Sequence, residues 1–198
     1  MTKPTAANRR GDLLEAAASC FYHDGVDAAS MRSIAEAAGM RTASIYYHFS
    51  SKDDLLVAVH EEALRRIGEA TVASLVGVEG AWPRLEAACG AHLETLLTGG
   101  TFFKAVMRHV PSKVVGRELI FKLRDDYEAI FTELIAALEL PADTDRETLR
   151  LMLLGAMNWT FTWWRPRKDP RPAVLASTFV TNLCKGLDVS LNGSHNGL

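Results

Sequence analysis

Long apolar runs are missing from this 198-residue chain, and none approaches the roughly 18 residues that a membrane helix needs. The start, MTKPTAANRR, has no apolar segment behind its charges, so it does not read as a secretory signal. Cysteine is scarce. Cys20, Cys89 and Cys184 are odd in number and far apart, which argues against a disulfide framework or a paired thiolate metal site. Each falls among small or apolar residues at helical spacing, the setting of a buried reduced thiol. The expectation is a cytoplasmic protein without a membrane partner. An excess of charge is missing too. With 22 Lys and Arg against 24 Asp and Glu, the formal net charge is −2, so any basic face must be local. Catalytic spacings are absent: no HExxH, no GxSxG, no Walker loop, no carboxylate pair with a partnering base. His60, His92 and His109 have no metal partner at i, i+4 and read as surface or internally satisfied histidines. The chain is therefore expected not to be an enzyme, and to hold no metal and no cofactor.

What the chain does have is helical periodicity almost throughout. The expected fold class is all-α, with about nine helices. The first runs from about Ala7 to Tyr22, with Leu14, Ala17, Ala18 and Phe21 on one face and Gly25 suited to a left-handed end. Ser30 is a good N-cap for a second helix carrying Ile34, Ala35 and Ala38 inward. Gly39 ends it, and a short third helix keeps Ile45 and Phe49 on its inner side. The fourth starts at Ser50 or Ser51, with Asp53 and Asp54 where the helix dipole favours carboxylates. Helices then follow from Trp82, around Phe102, from Lys113 to Leu138, from an Asp143 or Thr144 cap to Trp164, and from Val174 to Leu187. Residues 1–55 are expected to form one domain and residues 56–190 a second. The polar, Gly-rich tail at 191–198 is expected to be disordered.

Residues Ser30 to Leu55 carry the spacing of a helix-turn-helix, which places one helix in the DNA major groove. Ala35 and Ala38 let two helices approach, and Gly39 permits the turn between them. The third helix is too short to stand alone, because isolated helices below about 12 residues are marginal. It must pack through Ile45 and Phe49. That leaves Thr42, Ala43, Ser44, Tyr46, Tyr47 and His48 for another surface. Thr42 and Ser44 can bond base edges or phosphates, and Ala43 allows close approach or meets a thymine methyl. Tyr46, Tyr47 and His48 can bond phosphate, which positions without specifying. Arg32 and Lys52 open neighbouring helices and could clamp phosphates. Arg9 and Arg10, at the front of the first helix, could reach the backbone or the minor groove.

The segment from Arg10 to Leu56 resembles the N-terminal domain of TetR/AcrR-family transcription regulators. Ile34-Ala35-Glu36-Ala37-Ala38-Gly39-Met40 resembles the family's IAxxAGV. Ser44-Ile45-Tyr46-Tyr47-His48-Phe49-Ser50-Ser51-Lys52-Asp53-Asp54-Leu55 resembles its T-hydrophobic-Y-x-x-F-x-x-K-x-x-L. The resemblance implies that Thr42, Ser44, Tyr46, Tyr47 and Lys52 contact double-stranded operator DNA. It departs at Arg41, where the family usually has Ser. Either Thr42 takes over the capping role, or Arg41 reads a guanine itself.

Beyond Arg65 the sequence is apolar and aromatic without chemistry of its own. Phe102, Phe103 and Met107 share a short helix, Tyr127 and Phe131 are four apart, and Met152, Met157, Trp159 and Trp163 cluster on one helix. Such stripes are the usual mark of a core. As a group they could also line a small-molecule cavity between helices. The candidate effector residues are Phe103, Met107, Tyr127, Phe131, Met157, Asn158, Trp159 and Trp163. The family resemblance implies an effector in this region that moves the DNA-reading heads apart. Leu154 to Pro166, LGAMNWTFTWWRP, is similar to the NWxxxWYRP stretch of a subgroup that includes actinobacterial repressors of sterol and fatty-acid catabolism. That implies an apolar or acyl-CoA effector, with Arg108, Lys113, Arg117, Arg165, Arg167 and Lys168 as candidate phosphate partners. A helix-turn-helix monomer reads few base pairs, so a homodimer is expected. Trp164, Val174, Phe179, Val180 and Leu183 are its candidate contacts, unless they only close the monomer core. Two other readings remain open at this stage: a helical acyl-CoA-binding enzyme and a protein-binding adaptor.

Overall fold

A computed structural model describes residues 6–187. The described residues form helices and turns: α1 (Ala6–His23), α2 (Met31–Ala37), α3 (Thr42–Tyr46), α4 (Lys52–Ser74), α5 (Ala81–Thr98), α6 (Gly100–Val106), α7 (Arg117–Ala136), α8 (Arg146–Trp163) and α9 (Pro172–Gly186). The tail expected to be disordered lies outside them.

The chain divides into two compact units. The first is Met1–Arg65 with Gly99–Arg124, and the second is Arg66–Thr98 with Asp125–Leu198. This division falls at Arg65, within α4 like the expected boundary at residue 55 but further along the helix. The first unit is also discontinuous, because α6 packs against α1. Only a long-range contact joins these segments, and local sequence carries no trace of it.

In the first unit Leu13, Leu14, Ala17, Ala18 and Phe21 of α1 are buried with Ile34, Ala35, Ile45 and Leu55. Ser30 and Ser33 close a reciprocal cap on α2. The Ser33 N–H donates to Ser30 Oγ and the Ser30 N–H to Ser33 Oγ, each at 3.0 Å. Gly39 follows with φ +64, a conformation other residues resist. Ser51 caps α4 by accepting from the Asp54 N–H at 3.0 Å. The start of α7 is set by Gly116, at φ +86, where a Cβ would come within 2.9 Å of Val57 Cγ2. That fixes α7 at Arg117, four residues later than its sequence pattern begins.

In the second unit α8 and α9 both pack on α5. Leu85, Cys89, Leu93 and Leu96 of α5 are buried with Leu153, Leu154 and Met157 of α8 and Val180 and Cys184 of α9. The α8 cap is Asp145, not Asp143 or Thr144; its Oδ1 accepts from Glu147 N–H at 3.1 Å and Thr148 N–H at 3.2 Å. After α8 the chain turns tightly. Trp164 Nε1–H donates to the Pro170 carbonyl at 2.9 Å, and the Arg165 N–H donates to Asp169 Oδ2 at 2.6 Å.

Candidate nucleic-acid interface and buried polar core

The third helix is five residues long and buries Ile45. Phe49 is buried just beyond it. These two anchors turn the rest of the segment outward. Arg41, Ala43, Ser44, Tyr46 and Tyr47 are exposed, and Thr42 and His48 are half-buried. Tyr47 is 89% exposed and Tyr46 55%. Tyr pairs an apolar ring with a polar hydroxyl, which suits a contact surface. The Tyr47 and His48 rings meet edge to face, with centroids 5.5 Å apart. Arg41 is the N-cap of α3 in extended backbone, and its side chain makes no cap bond. The helix therefore begins at Thr42, and no side chain caps its first turn. Arg32 is exposed on α2. Arg10 lies within α1, its guanidinium carbon 5.5 Å from the Phe49 ring centroid.

Lys52 is the exception among the expected DNA contacts. Its ammonium donates to the carbonyls of Val26 at 2.6 Å, Asp27 at 3.3 Å and Ala29 at 2.8 Å. An ammonium has three donors, and all three are engaged. This geometry gives Lys52 an internal task, pinning the turn between α1 and α2.

The candidate effector residues divide. Phe103 and Met107 belong to the first unit, where Phe103 is buried. The other six belong to the second. There Tyr127, Phe131 and Met157 are buried, whereas Trp159 is 65% exposed and Trp163 40%. The two tryptophans lie on the outer side of α8 and line no interior space. With Leu151 and Met152, also exposed, they form an apolar stripe around Gly155 and Ala156. The α9 candidates divide as well. Val174 is exposed, while Trp164, Phe179 and Leu183 are half-buried. Val180 is fully buried, packed inside its own unit, so it is not available to a partner.

Tyr127 and Asn158 meet at a residue that sequence reasoning left as merely satisfied. His92 Nδ1 lies 2.6 Å from Tyr127 Oη, and Nε2 lies 3.1 Å from Asn158 Oδ1. Thr71 Oγ1–H donates to the Ile67 carbonyl at 2.8 Å and lies 3.5 Å from Tyr127 Oη. Asn158 Oδ1 can only accept, so Nε2 carries the proton of the neutral ring and Nδ1 accepts from the Tyr127 O–H. His92 Nε2–H then donates to Asn158. Helices α4, α5, α7 and α8 thus meet in one buried polar chain, edged by Phe131, whose ring is 6.0 Å from that of His92. Burial pulls the His92 pKa down from 6.5 to about 4, against a smaller upward pull from Asn158. Burial likewise pushes the Tyr127 phenol up. The only sequence signal for this chain was polarity at helical spacing inside apolar runs. A separate open groove of about 740 Å³ runs along α5, lined by Trp82, Pro83, Glu86, Gly90, Glu94 and neighbours. None of the candidate effector residues lines it.

Of the six cations considered as phosphate partners, four are engaged within their own units. Arg108 donates to the Tyr22 carbonyl, and Lys113 pairs with Asp27 at 2.8 Å. Arg117 stacks on Phe121 at 4.2 Å, and Arg165 donates to the Trp163 carbonyl at 3.1 Å, closing the end of α8. Arg167 and Lys168 stand exposed on the turn that follows. Among the described residues no cluster of three or more His, Cys, Asp or Glu could hold a metal ion. No helix among them is long and apolar enough to cross a membrane.

The chain is similar to known proteins in both units. Over 49 residues it is 45% identical to the HTH-type transcriptional repressor KstR2 of Mycobacterium tuberculosis, a match covering 25% of this chain and 24% of that protein. The matched stretch is thus about a quarter of that curated relative's length. A solved structure described as superantigen Pfit superposes with TM-score 0.72 at 30% identity, over 91% of this chain and 90% of that one. AibR, solved in complex with isovaleryl coenzyme A and operator DNA, superposes with TM-score 0.75 at 21% identity, over 88% of this chain and 97% of that one. At that identity the likeness shows the fold alone. The model of bacterial regulatory proteins of the tetR family matches residues 13–59, and that of the tetracyclin repressor-like C-terminal domain matches residues 79–187. The second match alone takes in more than half of the 198 residues, and the chain belongs to the TetR family.

Proposed function

We propose that this chain is a homodimeric transcriptional regulator that binds double-stranded operator DNA and acts as a repressor. A small apolar or acyl-CoA effector, bound in the C-terminal region, releases it. The observation that carries the reading is the α3 surface, where two exposed phenols and small polar residues surround a helix anchored only by Ile45 and Phe49. A helix so presented fits a major groove, with its phenols at the phosphates. A DNA-binding regulator also works in the cytoplasm and needs no catalytic centre.

The homodimer reading rests on the α8 stripe. Leu151, Met152, Trp159 and Trp163, joined by Val174 of α9, put large apolar side chains in water. A stripe of that kind, centred on small Gly155 and Ala156, suits an isologous helix pairing. The effector reading rests on the layer around His92, Tyr127, Phe131, Met157 and Asn158. A ligand wedged there would favour a form with that polar chain rearranged, and such a preference is what shifts a population. AibR supplies the precedent for a coenzyme A thioester as the ligand.

The test is a gel-shift assay of the full-length protein on duplexes selected from a random pool, with and without isovaleryl-CoA. Selective binding by a dimer, weakened by the thioester, supports the whole reading. Failure to retain any duplex above background defeats it. Selective binding that no acyl-CoA weakens removes only the effector class.

A further inference from the structure

Arg41 is the one long cationic side chain at the leading end of α3, and it is exposed with no cap bond to its own helix. The residues beside it are short. Thr42, Ala43 and Ser44 extend one or two atoms from the backbone and cannot present paired donors to one base. Tyr46 and Tyr47 lie further along the helix, with Tyr47 the most exposed large apolar side chain in the described chain. In a helix-turn-helix the leading residues of the recognition helix are those that meet base edges. A guanidinium there offers two parallel N–H groups, which match O6 and N7 of guanine. The partner it leaves out is equally informative. Among the described residues no carboxylate is paired with Arg41, so entering the groove breaks no ion pair there.

We propose that Arg41 reads a guanine in each half-site of the operator and is the main determinant of sequence preference. This rests on the DNA-binding reading above and adds the base to it. The contact is bidentate, so lysine does not replace it: an ammonium is a point charge without the planar fork. Ser44 and Thr42 add at most single hydrogen bonds at neighbouring pairs.

The experiment selects duplexes from a random pool with the full-length wild type, then repeats the selection with Arg41→Ala and Arg41→Lys. Each protein is also titrated against the four variants of every half-site position at two salt concentrations. The wild type is expected to require one G·C pair per half-site. Both variants are expected to lose preference at that pair alone, by roughly 5- to 150-fold. Preferences elsewhere stay unchanged, and thermal unfolding stays unchanged because Arg41 holds nothing in place. A phosphate contact would look different. Arg41→Ala would then weaken every duplex alike and lower the salt slope by about one per subunit, while Arg41→Lys would keep the affinity. That result overturns the inference, as does a preference that survives in both variants. In either case selective binding by the wild type leaves the regulator reading standing. If the wild type selects no duplex at all, the regulator reading falls first and takes this inference with it.

Discussion

Among the described residues, large aromatic side chains are exposed at α3 with its caps and along α8, in opposite chemical settings. On α3, in the first unit, Tyr46 and Tyr47 stand beside Ser44, Ala43 and Arg41. On α8, in the second, Trp159 and Trp163 stand beside Leu151, Met152, Gly155 and Ala156. The first set ends in hydroxyls and a guanidinium, which must be hydrogen-bonded wherever they are buried. The second set is almost wholly apolar. A phosphate-lined groove can satisfy the first but gains nothing from the second. A second apolar helix can cover the second but would orphan the first. The buried histidines differ in the same way. His92 has both ring nitrogens partnered. His60 uses Nδ1 on the Leu56 carbonyl at 2.9 Å, and its Nε2 is buried without a partner. Exposure or burial alone therefore decides nothing here; what surrounds the group does.

The largest effect is expected where the contrast is sharpest, on α8. Trp159→Asp places a carboxylate in the middle of the apolar stripe. In an isologous pair the change counts twice. At about 2 kcal/mol per lost central contact, dimerisation weakens by about 4 kcal/mol, roughly a thousandfold. Sedimentation equilibrium reads it directly, and operator affinity should fall with it. A variant that remains dimeric at the wild-type concentration would remove α8 from the interface and return Trp159 to some other task.

The histidine contrast comes next. His92→Phe strands the Tyr127 hydroxyl and the Asn158 carbonyl oxygen, a loss of about 3 kcal/mol. His60→Leu removes a nitrogen that has no partner, so its cost should be much smaller. Acid adds a second reading. Burial also holds His60 down to about 4, with Arg124 pressing in the same direction and the Leu56 bond opposing it. In the unfolded chain each histidine takes a proton below about 6.5. The folded chain does not until about 4. The stability each neutral histidine represents is thus fully present above 6.5 and is lost as pH falls towards 4. The ceiling is on the order of 3 kcal/mol for each. Denaturant titrations between pH 7 and pH 4 should show a steep wild-type decline, and a shallower one in either variant. An equal slope in all three proteins would mean that these rings are hydrated in the native state.

Much of this was legible beforehand, and the parts that were not share a cause. The Ser30 cap, Gly39 and the inward pair Ile45 and Phe49 follow from neighbours within four residues, so periodicity and capping chemistry find them. Met152, Met157, Trp159 and Trp163 could be placed on one helix but not on one side of it. Helix α8 carries apolar residues on two sides, buried at Met157 and exposed at Met152, and a helix with two apolar faces does not say which one faces water. On α9 the same ambiguity left Val180 either at a dimer contact or in the monomer core, and it is buried in its own unit. His92 needed partners 35 and 66 residues away to show its role. The membership of α6 in the first unit likewise rests on packing against α1.

Lys52 and Tyr47 give the finest version of the comparison, because the sequence motif treats them alike. Both fall where a phosphate contact is expected, yet one is spent inside the unit and the other is almost wholly in water. Lys52→Met keeps the aliphatic stem and removes three charge-assisted bonds to the α1–α2 turn. Unfolding should become easier by about 2 kcal/mol. Any loss of DNA affinity should follow that destabilisation and shrink when the fold is supported by low temperature. Tyr47→Ala should leave the unfolding midpoint where it is, since so exposed a ring contributes little to the core. Operator affinity should fall about tenfold for each subunit, about 1.4 kcal/mol, and by the same factor on unrelated duplexes. The salt slope should not change, because a neutral phenol releases no counterion. If instead Lys52→Met unfolds like the wild type and lowers the salt slope, the ammonium leaves its three carbonyls when DNA arrives. The turn it pins would then be part of the DNA response.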